Sequence, residues 1–259
     1  MNLKKLFTRN KTLILAYDHG MEHGPRDFNL KNCDPDFIFQ LAIKGKFNAI
    51  VVGHGIAEKY YSKYNDKIPL IVKVNGHSSL SKPEPNSPLL CSVERAKKLG
   101  ASAIGFTVHA GSFKEQEMLQ VFSKLVEDAH NQNLPVIMWA YPRGSFVKDD
   151  MKTEVIAYAA RLGLETGADM VKIKYNDDFE GLKWIIANSG KTKVAISGGS
   201  KLDTRVLLQQ AEDITKAGAV GMLVGRNVWQ HKKPLKLVKA LRSIIIDNKS
   251  VKEALKLMK

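Results

Sequence analysis

Short apolar runs rich in Val and Ile alternate with amphipathic segments along the whole chain. Such runs, bounded by polar or glycine-containing segments, are typical of strands that are buried on both faces. Each run is followed by at least one helical or turn segment, which is the pattern of a parallel sheet. The eight predicted strands are 12–18, 49–53, 70–75, 103–109, 136–141, 170–175, 194–197 and 221–224.

Glycines mark the ends of several predicted helices. A glycine directly after an amphipathic run favours the left-handed conformation that commonly ends a helix. The segments 113–130 and 234–259 are also amphipathic, whereas 77–90 is rich in Ser and Pro and is predicted to be a long loop. The glycine-terminated helices are 92–99 before Gly100, 153–166 before Gly167 and 202–217 before Gly218.

The order of these elements predicts an α/β fold, a single-domain (β/α)8 TIM barrel over residues 1–259. The length fits, because such barrels commonly have about 250 residues. A doubly wound open sheet is the competing architecture. It would usually show a glycine-rich turn after the first strand, where this chain has Asp18-His19-Gly20.

Composition and the N-terminal sequence indicate a protein of the cytoplasm. Hydrophobic residues make up 44% of the chain, and no apolar run approaches the roughly 20 residues of a membrane span. The first residues are too charged to form a signal peptide. Cys33 and Cys91 lack the spacing of a metal site, so we expect two reduced thiols.

The net charge is strongly positive, with 40 Lys and Arg against 26 Asp and Glu, a balance of +14. Such a balance is compatible with nucleic acid, a membrane surface or anionic substrates. Many of the lysines are scattered along predicted helices, which is typical of solvated faces. We therefore expect neither nucleic acid nor a membrane as a partner.

Two lysines on the sixth predicted strand are the strongest candidates for chemistry. Side chains alternate along a strand, so if Val171 and Ile173 face the helix layer, Lys172 and Lys174 face the barrel interior. Lys73 faces inward by the same alternation.

Inward ammonium groups repel each other and are poorly solvated, and both effects favour the neutral amine that attacks a carbonyl. The alternative is a structural lysine that pairs with an inward carboxylate such as Asp18.

Trp139 and Tyr141 share one face near the end of the fifth strand. Tyr141 is a candidate for proton exchange with a substrate hydroxyl, helped by a nearby ammonium that lowers its pKa. The alternative is an aromatic pair that only fills the mouth of the barrel. Asp18, at the end of the first strand, is positioned to accept a hydrogen bond from a substrate hydroxyl or to orient a reactive lysine.

His19 and His23 have the i, i+4 spacing of a zinc site, which requires a helix. The flanking glycines and Pro25 favour a loop instead, so no metal or other cofactor is expected.

The last two strands carry a candidate phosphate site. Ser197-Gly198-Gly199-Ser200 ends the seventh strand, and Gly225-Arg226-Asn227 follows the eighth. Glycines let backbone N–H groups converge on an anion, and barrels often bind phosphate at these two strand ends. Ordinary tight turns are the alternative for each segment taken alone.

Five segments resemble the archaeal-type class I fructose-bisphosphate aldolases of the DeoC/FbaB-like aldolase family. They occur in the family's order and cover almost the whole chain. The segments are Ala16-Tyr17-Asp18-His19-Gly20-Met21-Glu22-His23-Gly24-Pro25, Gly55-Ile56-Ala57-Glu58-Lys59-Tyr60-Tyr61, Trp139-Ala140-Tyr141-Pro142-Arg143-Gly144, Lys172-Ile173-Lys174-Tyr175 and Val224-Gly225-Arg226-Asn227-Val228-Trp229-Gln230.

The resemblance implies a role for each candidate. It selects Lys172 as the Schiff-base residue and Tyr141 as the proton-transfer residue, with Asp18 beside them. It implies that Trp139 and Asp18 help to hold the substrate, with Lys174 as a further substrate-binding residue. Arg143 and the His23 loop are implied toward one phosphate, and Ser197, Gly198, Gly199, Gly225 and Arg226 around the other. The chain departs from the family pattern at Ser200-Lys201, where proline is usual, and at Asn176-Asp177, where Thr-Gly-Asp is common; these departures concern the details of phosphate binding.

The resemblance also implies an activity. Members reversibly cleave fructose 1,6-bisphosphate to dihydroxyacetone phosphate and glyceraldehyde 3-phosphate in glycolysis and gluconeogenesis, and they form ring-based homo-oligomers, often decamers. Related activities on this scaffold are a transaldolase-like aminodideoxyheptulosonate synthase and a thiolase of a phosphorylated sugar, which generally lack an aromatic residue at the position of Trp139. A non-catalytic binder of phosphate ligands or nucleic acid is a different class, and a barrel isomerase would leave the inward lysines unexplained.

Overall fold

Eight parallel strands close into one barrel in the computed structural model, which describes residues 3–80 and 84–259. Each strand pairs with the next one along the chain, and the last strand pairs with the first. The predicted (β/α)8 barrel is thus confirmed. The strands are β1 Thr12–Ala16, β2 Ala49–Gly53, β3 Leu70–Lys73, β4 Ala101–Ala110, β5 Val136–Pro142, β6 Met170–Ile173, β7 Lys193–Ser197 and β8 Gly221–Val224.

Helices surround the barrel and follow its strands. Short 3-10 helices occur at Leu3–Leu6, Gly24–Asp27 and Tyr61–Tyr64. The α-helices are α1 His19–Glu22, α2 Pro35–Lys44, α3 His54–Tyr60, α4 Val93–Lys98, α5 Glu115–Asn131, α6 Thr153–Glu165, α7 Phe179–Asn188, α8 Thr204–Ala217, α9 Arg226–Trp229, α10 Pro234–Ile245 and α11 Val251–Lys256.

Most element boundaries follow the sequence, and the differences lie at element ends. Gly100, Gly167 and Gly218 adopt φ values of +86°, +82° and +103°, as predicted for helix-terminating glycines. The segment 234–259 forms two helices rather than one, because the chain breaks after α10 and Ser250 starts α11 with a capping box. In the predicted loop 77–90, residues 81–83 lie outside the described residues.

Two hydrophobic layers fill the fold. Ile14, Val51, Ile71 and Ile137 point into the barrel, where Leu6 packs with them ahead of β1. A larger layer between strands and helices includes Val171 and Ile173. The alternation predicted for β6 is therefore confirmed, and Lys172 lies on the inner side.

Cys33 is exposed and Cys91 is buried, and both are free thiols, as predicted. Within residues 3–80 and 84–259, no helix is both long and apolar enough to cross a bilayer.

Candidate active site

A cavity of about 440 Å³ opens at the end of the barrel where the strands finish. Its position is the usual place for the active site of such a barrel. All the site residues singled out from the sequence line it: Asp18, His23, Trp139, Tyr141, Arg143, Lys172, Lys174, Ser197, Gly198, Gly199, Gly225 and Arg226.

Lys172 is almost fully buried at this cavity, with 5% of its surface exposed. Its Nζ lies 4.8 Å from the centre of the Trp139 ring and 5.7 Å from the centre of the Tyr141 ring. The amine is therefore held against two aromatic faces on the neighbouring strand β5. A buried amine that still reaches a cavity is suited to covalent chemistry.

The prediction that burial and neighbouring positive charge favour the neutral amine of Lys172 is wrong. Burial lowers the pKa of Lys172, but Tyr141 and the carboxylates of Asp18 and Glu22 outweigh burial, so the pKa lies above its usual value. Lys174 lies just beyond β6, where its ammonium contacts the Asp150 carboxylate. Alternation located the inward lysines correctly but gave no information on the carboxylates that come from other strands and loops.

The predicted lowering of the pKa of Tyr141 is also wrong. Burial raises the pKa of Tyr141, and the positive charge of Lys172 only partly offsets this. Tyr141 is thus a neutral phenol in the unliganded protein, able to give a proton before it takes one. The Nε1 atom of Trp139 is buried and has no hydrogen-bond partner among the described residues, which suits a donor to a substrate oxygen.

The segment after β1 is a short helix rather than the predicted loop. Residues His19–Glu22 form α1, with Asp18 at its N-terminal end, so Asp18, His19 and Glu22 all line the cavity. Burial lowers the pKa of His19 to about 4, so this ring is neutral near pH 7. His23 contacts Asp27 through Nδ1 at 2.8 Å, and its ring meets the His19 ring edge to face, with the ring centres 5.4 Å apart.

The glycine-rich segments after β7 and β8 are fixed to each other by Asn227. Its Nδ2 donates to the carbonyl oxygens of Gly198 and Ser200 at 2.6 and 2.9 Å, and its Oδ1 accepts from the Leu202 N–H at 2.7 Å. Gly199 has a φ of +61°, in the left-handed region that favours glycine. The carbonyl groups are thereby held in fixed orientations beside Arg226.

The β8 end is also tied to the β1 end. A nitrogen of the Arg226 guanidinium lies 3.4 Å from Asp27, which also contacts His23. Trp229 Nε1 donates to the carbonyl oxygen of Ala16 at 3.2 Å. One set of contacts therefore joins the candidate phosphate loops to the segment that carries Asp18.

Several cavity residues were missed by the sequence analysis. Glu22 occurs in a segment that resembles the family, but its side chain points to the cavity because the segment forms the helix α1. Gln210 lies on α8, and its side-chain N–H donates to Asp177 at 2.9 Å. Asp177 has a φ of +62°, a conformation that few residues other than glycine adopt, and the sequence marked it only as a departure from the family pattern.

A (β/α)8 barrel that presents a buried lysine, a tyrosine and a carboxylate to one cavity defines the class of barrel aldolases that act through a Schiff base. The chain belongs to the DeoC/LacD family of aldolases, whose model matches residues 12–231.

Two similar proteins have the name class 1 fructose-bisphosphate aldolase. The one from Thermoproteus tenax is 45% identical over 250 residues, covering 95% of this chain and 94% of the relative. The one from Halobacterium salinarum is 42% identical over 247 residues, with the same coverage.

Solved structures of fructose-1,6-bisphosphate aldolases have the same fold. One is an archaeal fructose-1,6-bisphosphate aldolase whose catalytic Lys is covalently bound to the carbinolamine intermediate of the substrate. It superposes with a TM-score of 0.89 at 43% identity, covering 93% of this chain and 97% of that one. A second, described as a Schiff base forming fructose-1,6-bisphosphate aldolase, has a TM-score of 0.89 at 44% identity, with the same coverage of both chains.

Proposed function

We propose that this chain is a class I, Schiff-base-forming fructose-bisphosphate aldolase, with one catalytic domain over residues 1–259. It reversibly cleaves fructose 1,6-bisphosphate to dihydroxyacetone phosphate and glyceraldehyde 3-phosphate. The observation that carries the proposal is the buried Lys172 amine, which reaches the cavity beside Tyr141 and Asp18. The family and the relatives described above support the same activity.

The first steps make an iminium ion on Lys172. The ammonium releases one proton to solvent, and the amine adds to the C2 ketone to give a carbinolamine. Tyr141, a neutral phenol because burial raises its pKa, donates its proton to the departing hydroxyl, which leaves as water. The products of this step are an iminium cation and a tyrosine phenolate.

The iminium then accepts the electron pair of the broken bond. The Tyr141 phenolate takes the proton of the C4 hydroxyl, the C3–C4 bond breaks, and its electrons form an enamine on Lys172. Glyceraldehyde 3-phosphate leaves. Tyr141 returns the proton to C3, and its phenolate then takes a proton from the water that adds to the second iminium. The C–N bond of the resulting carbinolamine breaks while its hydroxyl proton passes to nitrogen, which releases dihydroxyacetone phosphate and the Lys172 amine.

The remaining cavity residues position the substrate. Arg226 and the Ser197–Ser200 segment bind one phosphate, while Arg143 and the segment of His23 face the other. Trp139 and Asp18 bind the sugar between them, and Lys174 lies at the rim with Asp150. Every step uses side chains of the protein and water.

The direct test is chemical trapping of the Schiff base. Borohydride treatment with dihydroxyacetone phosphate is expected to add a stable mass to the peptide that contains Lys172 and to abolish cleavage. Lys172→Met should give no adduct and no turnover, whereas the matched variant Lys174→Met should still be labelled at Lys172. Labelling of another lysine, or complete loss of activity with a chelator, would contradict the proposal.

We also propose a cytoplasmic homo-oligomer of the ring-based type, often a decamer, that interacts with neither nucleic acid nor membranes. Only the resemblance to the family supports the oligomer. Size-exclusion chromatography with light scattering would measure its mass, and a monomeric mass at micromolar concentration would contradict it.

A further inference from the structure

Lys73, the last residue of β3, is a second buried lysine that the mechanism above does not use. Only 5% of its surface is exposed. Its Nζ donates to the backbone oxygen of Asn75 at 2.6 Å and to Asn75 Oδ1 at 2.9 Å, and it lies 3.8 Å from Glu22 Oε1. It is also 6.0 Å from the centre of the Trp139 ring, which Lys172 contacts as well.

The Asn75 amide is held in one orientation. Its Nδ2 donates to the carbonyl oxygens of Ser87 and Thr107, and its Oδ1 accepts from the Thr107 N–H at 2.8 Å. The oxygen of this amide therefore faces Lys73. The three contacts of the Lys73 nitrogen are a carbonyl oxygen, an amide oxygen and a carboxylate oxygen, which are the surroundings of an ammonium ion.

The charges that face the two lysines come from several elements. Burial lowers the pKa of Lys73, while Glu22 and Asp18 raise it. Lys172 faces Tyr141, Asp18 and Glu22. Three nearby groups are neutral near pH 7: the Tyr141 phenol, whose pKa burial raises, and two histidines with pKa values lowered by burial to about 4 at His19 and about 3 at His109.

The ionised groups around the reactive amine of Lys172 thus include the carboxylates of Asp18 and Glu22 and the ammonium of Lys73. We propose that Lys73 is a positioning residue whose ammonium neutralises the Glu22 carboxylate, so that the reactive amine of Lys172 faces one unbalanced carboxylate, Asp18, instead of two. This inference rests on the proposed function, because it concerns how Lys172 becomes a nucleophile.

The proposed role of Lys73 predicts pH shifts in opposite directions for two substitutions. Without Lys73, Glu22 is unbalanced, Lys172 holds its proton more tightly, and the rising limb of kcat/KM against pH moves to higher pH. Without the Glu22 carboxylate, Lys172 loses its proton more easily, and the limb moves to lower pH. Because the charges of Lys73 and Glu22 offset each other, the rising limb of the double variant should lie at nearly the same pH as that of the wild type.

The experiment compares the pH profiles of wild type, Lys73→Met, Glu22→Gln and the double variant. For Lys73→Met we expect roughly tenfold lower kcat/KM at pH 7, corresponding to a shift of about one pH unit, and recovery at high pH. The yield of the borohydride adduct should shift in the same way. Lys11→Met, which removes a partly buried lysine whose Nζ bonds Ala219 at the opposite end of the barrel, is the control and should leave the limb in place.

The outcomes separate the two proposals. If wild type forms no adduct, the proposed aldolase chemistry fails. If wild type is labelled but the loss in Lys73→Met is equal at all pH values, or the Glu22→Gln limb does not move to lower pH, only the role of Lys73 is overturned. Glu22→Gln keeps the test valid if Lys73→Met does not fold.

Discussion

The indole of Trp139 lies directly over Gly105 of the adjacent strand β4. A Cβ atom at position 105 would be 2.4 Å from Cη2 of the indole, well inside van der Waals contact. Only glycine leaves this space for the ring. Because the same ring contacts Lys172, the absence of a side chain on β4 determines where the reactive amine rests.

Gly105→Ala should therefore displace Trp139 and impair both stability and activity. Overpacking of this kind costs about 1–3 kcal/mol of the free energy of unfolding. Denaturant unfolding and the cleavage assay would measure the two effects. Gly55→Ala is the matched control, since a Cβ there meets no atom within 4 Å and alanine favours the helix α3. Equal stability of the two variants would contradict the packing argument.

Tyr141→Phe should lower kcat by about 10²- to 10⁴-fold, the usual contribution of one acid–base group. KM should change little, because the ring remains and only the hydroxyl is lost. Steady-state kinetics would test this. Slow borohydride labelling of Lys172 should persist in the variant, so complete loss of labelling would show that the tyrosine has another role.

Arg226→Gln should weaken substrate binding through loss of a charged donor. Hydrogen bonds to charged groups contribute about 1.5–3 kcal/mol, which corresponds to a rise in KM of roughly 10- to 150-fold. Arg205→Gln, on the exposed start of α8, is the charge-matched control and should leave KM near the wild-type value. An equal effect of both substitutions would indicate general attraction of the substrate by net charge rather than a phosphate contact.

Glu84 should make stability depend on pH. Its carboxylate accepts from the N–H groups of Phe113 and Ser145 and from the Ser145 hydroxyl, and these bonds lower its pKa from 4.5 to about 2. A lowered pKa contributes stability above pH 4.5 that is lost as the pH falls toward 2. The difference in melting temperature between wild type and Glu84→Gln should therefore shrink between pH 6 and pH 3. A constant difference would contradict this assignment.

Alternation and strand order predicted the parts of the site that lie on strands. They placed Lys172 on the inner face and Trp139 and Tyr141 on one shared face, and strand order brought Gly198 and Gly225 to one rim. These rules depend only on neighbouring residues and on the closure of the barrel.

The charge around Lys172 could not be predicted in the same way. Glu22 faces the amine because the segment after β1 forms the helix α1, which lies against the stacked rings of Phe28 and Trp229. Gly20 adjoins Phe28, and the centre of the His19 ring lies 5.9 Å from that of Trp229. Phe28 and Trp229 are far apart in the sequence. The raised pKa of Lys172 thus depends on tertiary contacts, and a periodic pattern carries no information about them.

The contacts of Arg226 with Asp27 and of Trp229 with Ala16 join the two segments that flank the β1–β8 pairing, which closes the barrel. This is the boundary at which the two ends of the chain meet. A sugar bisphosphate that contacts both the segment after β1 and the segment after β8 would bridge these two strands. Backbone amides of β1 and β8 should then exchange their hydrogens more slowly when substrate is bound. Substrate present during turnover would thus also stabilise the pairing of β1 with β8 against local unfolding.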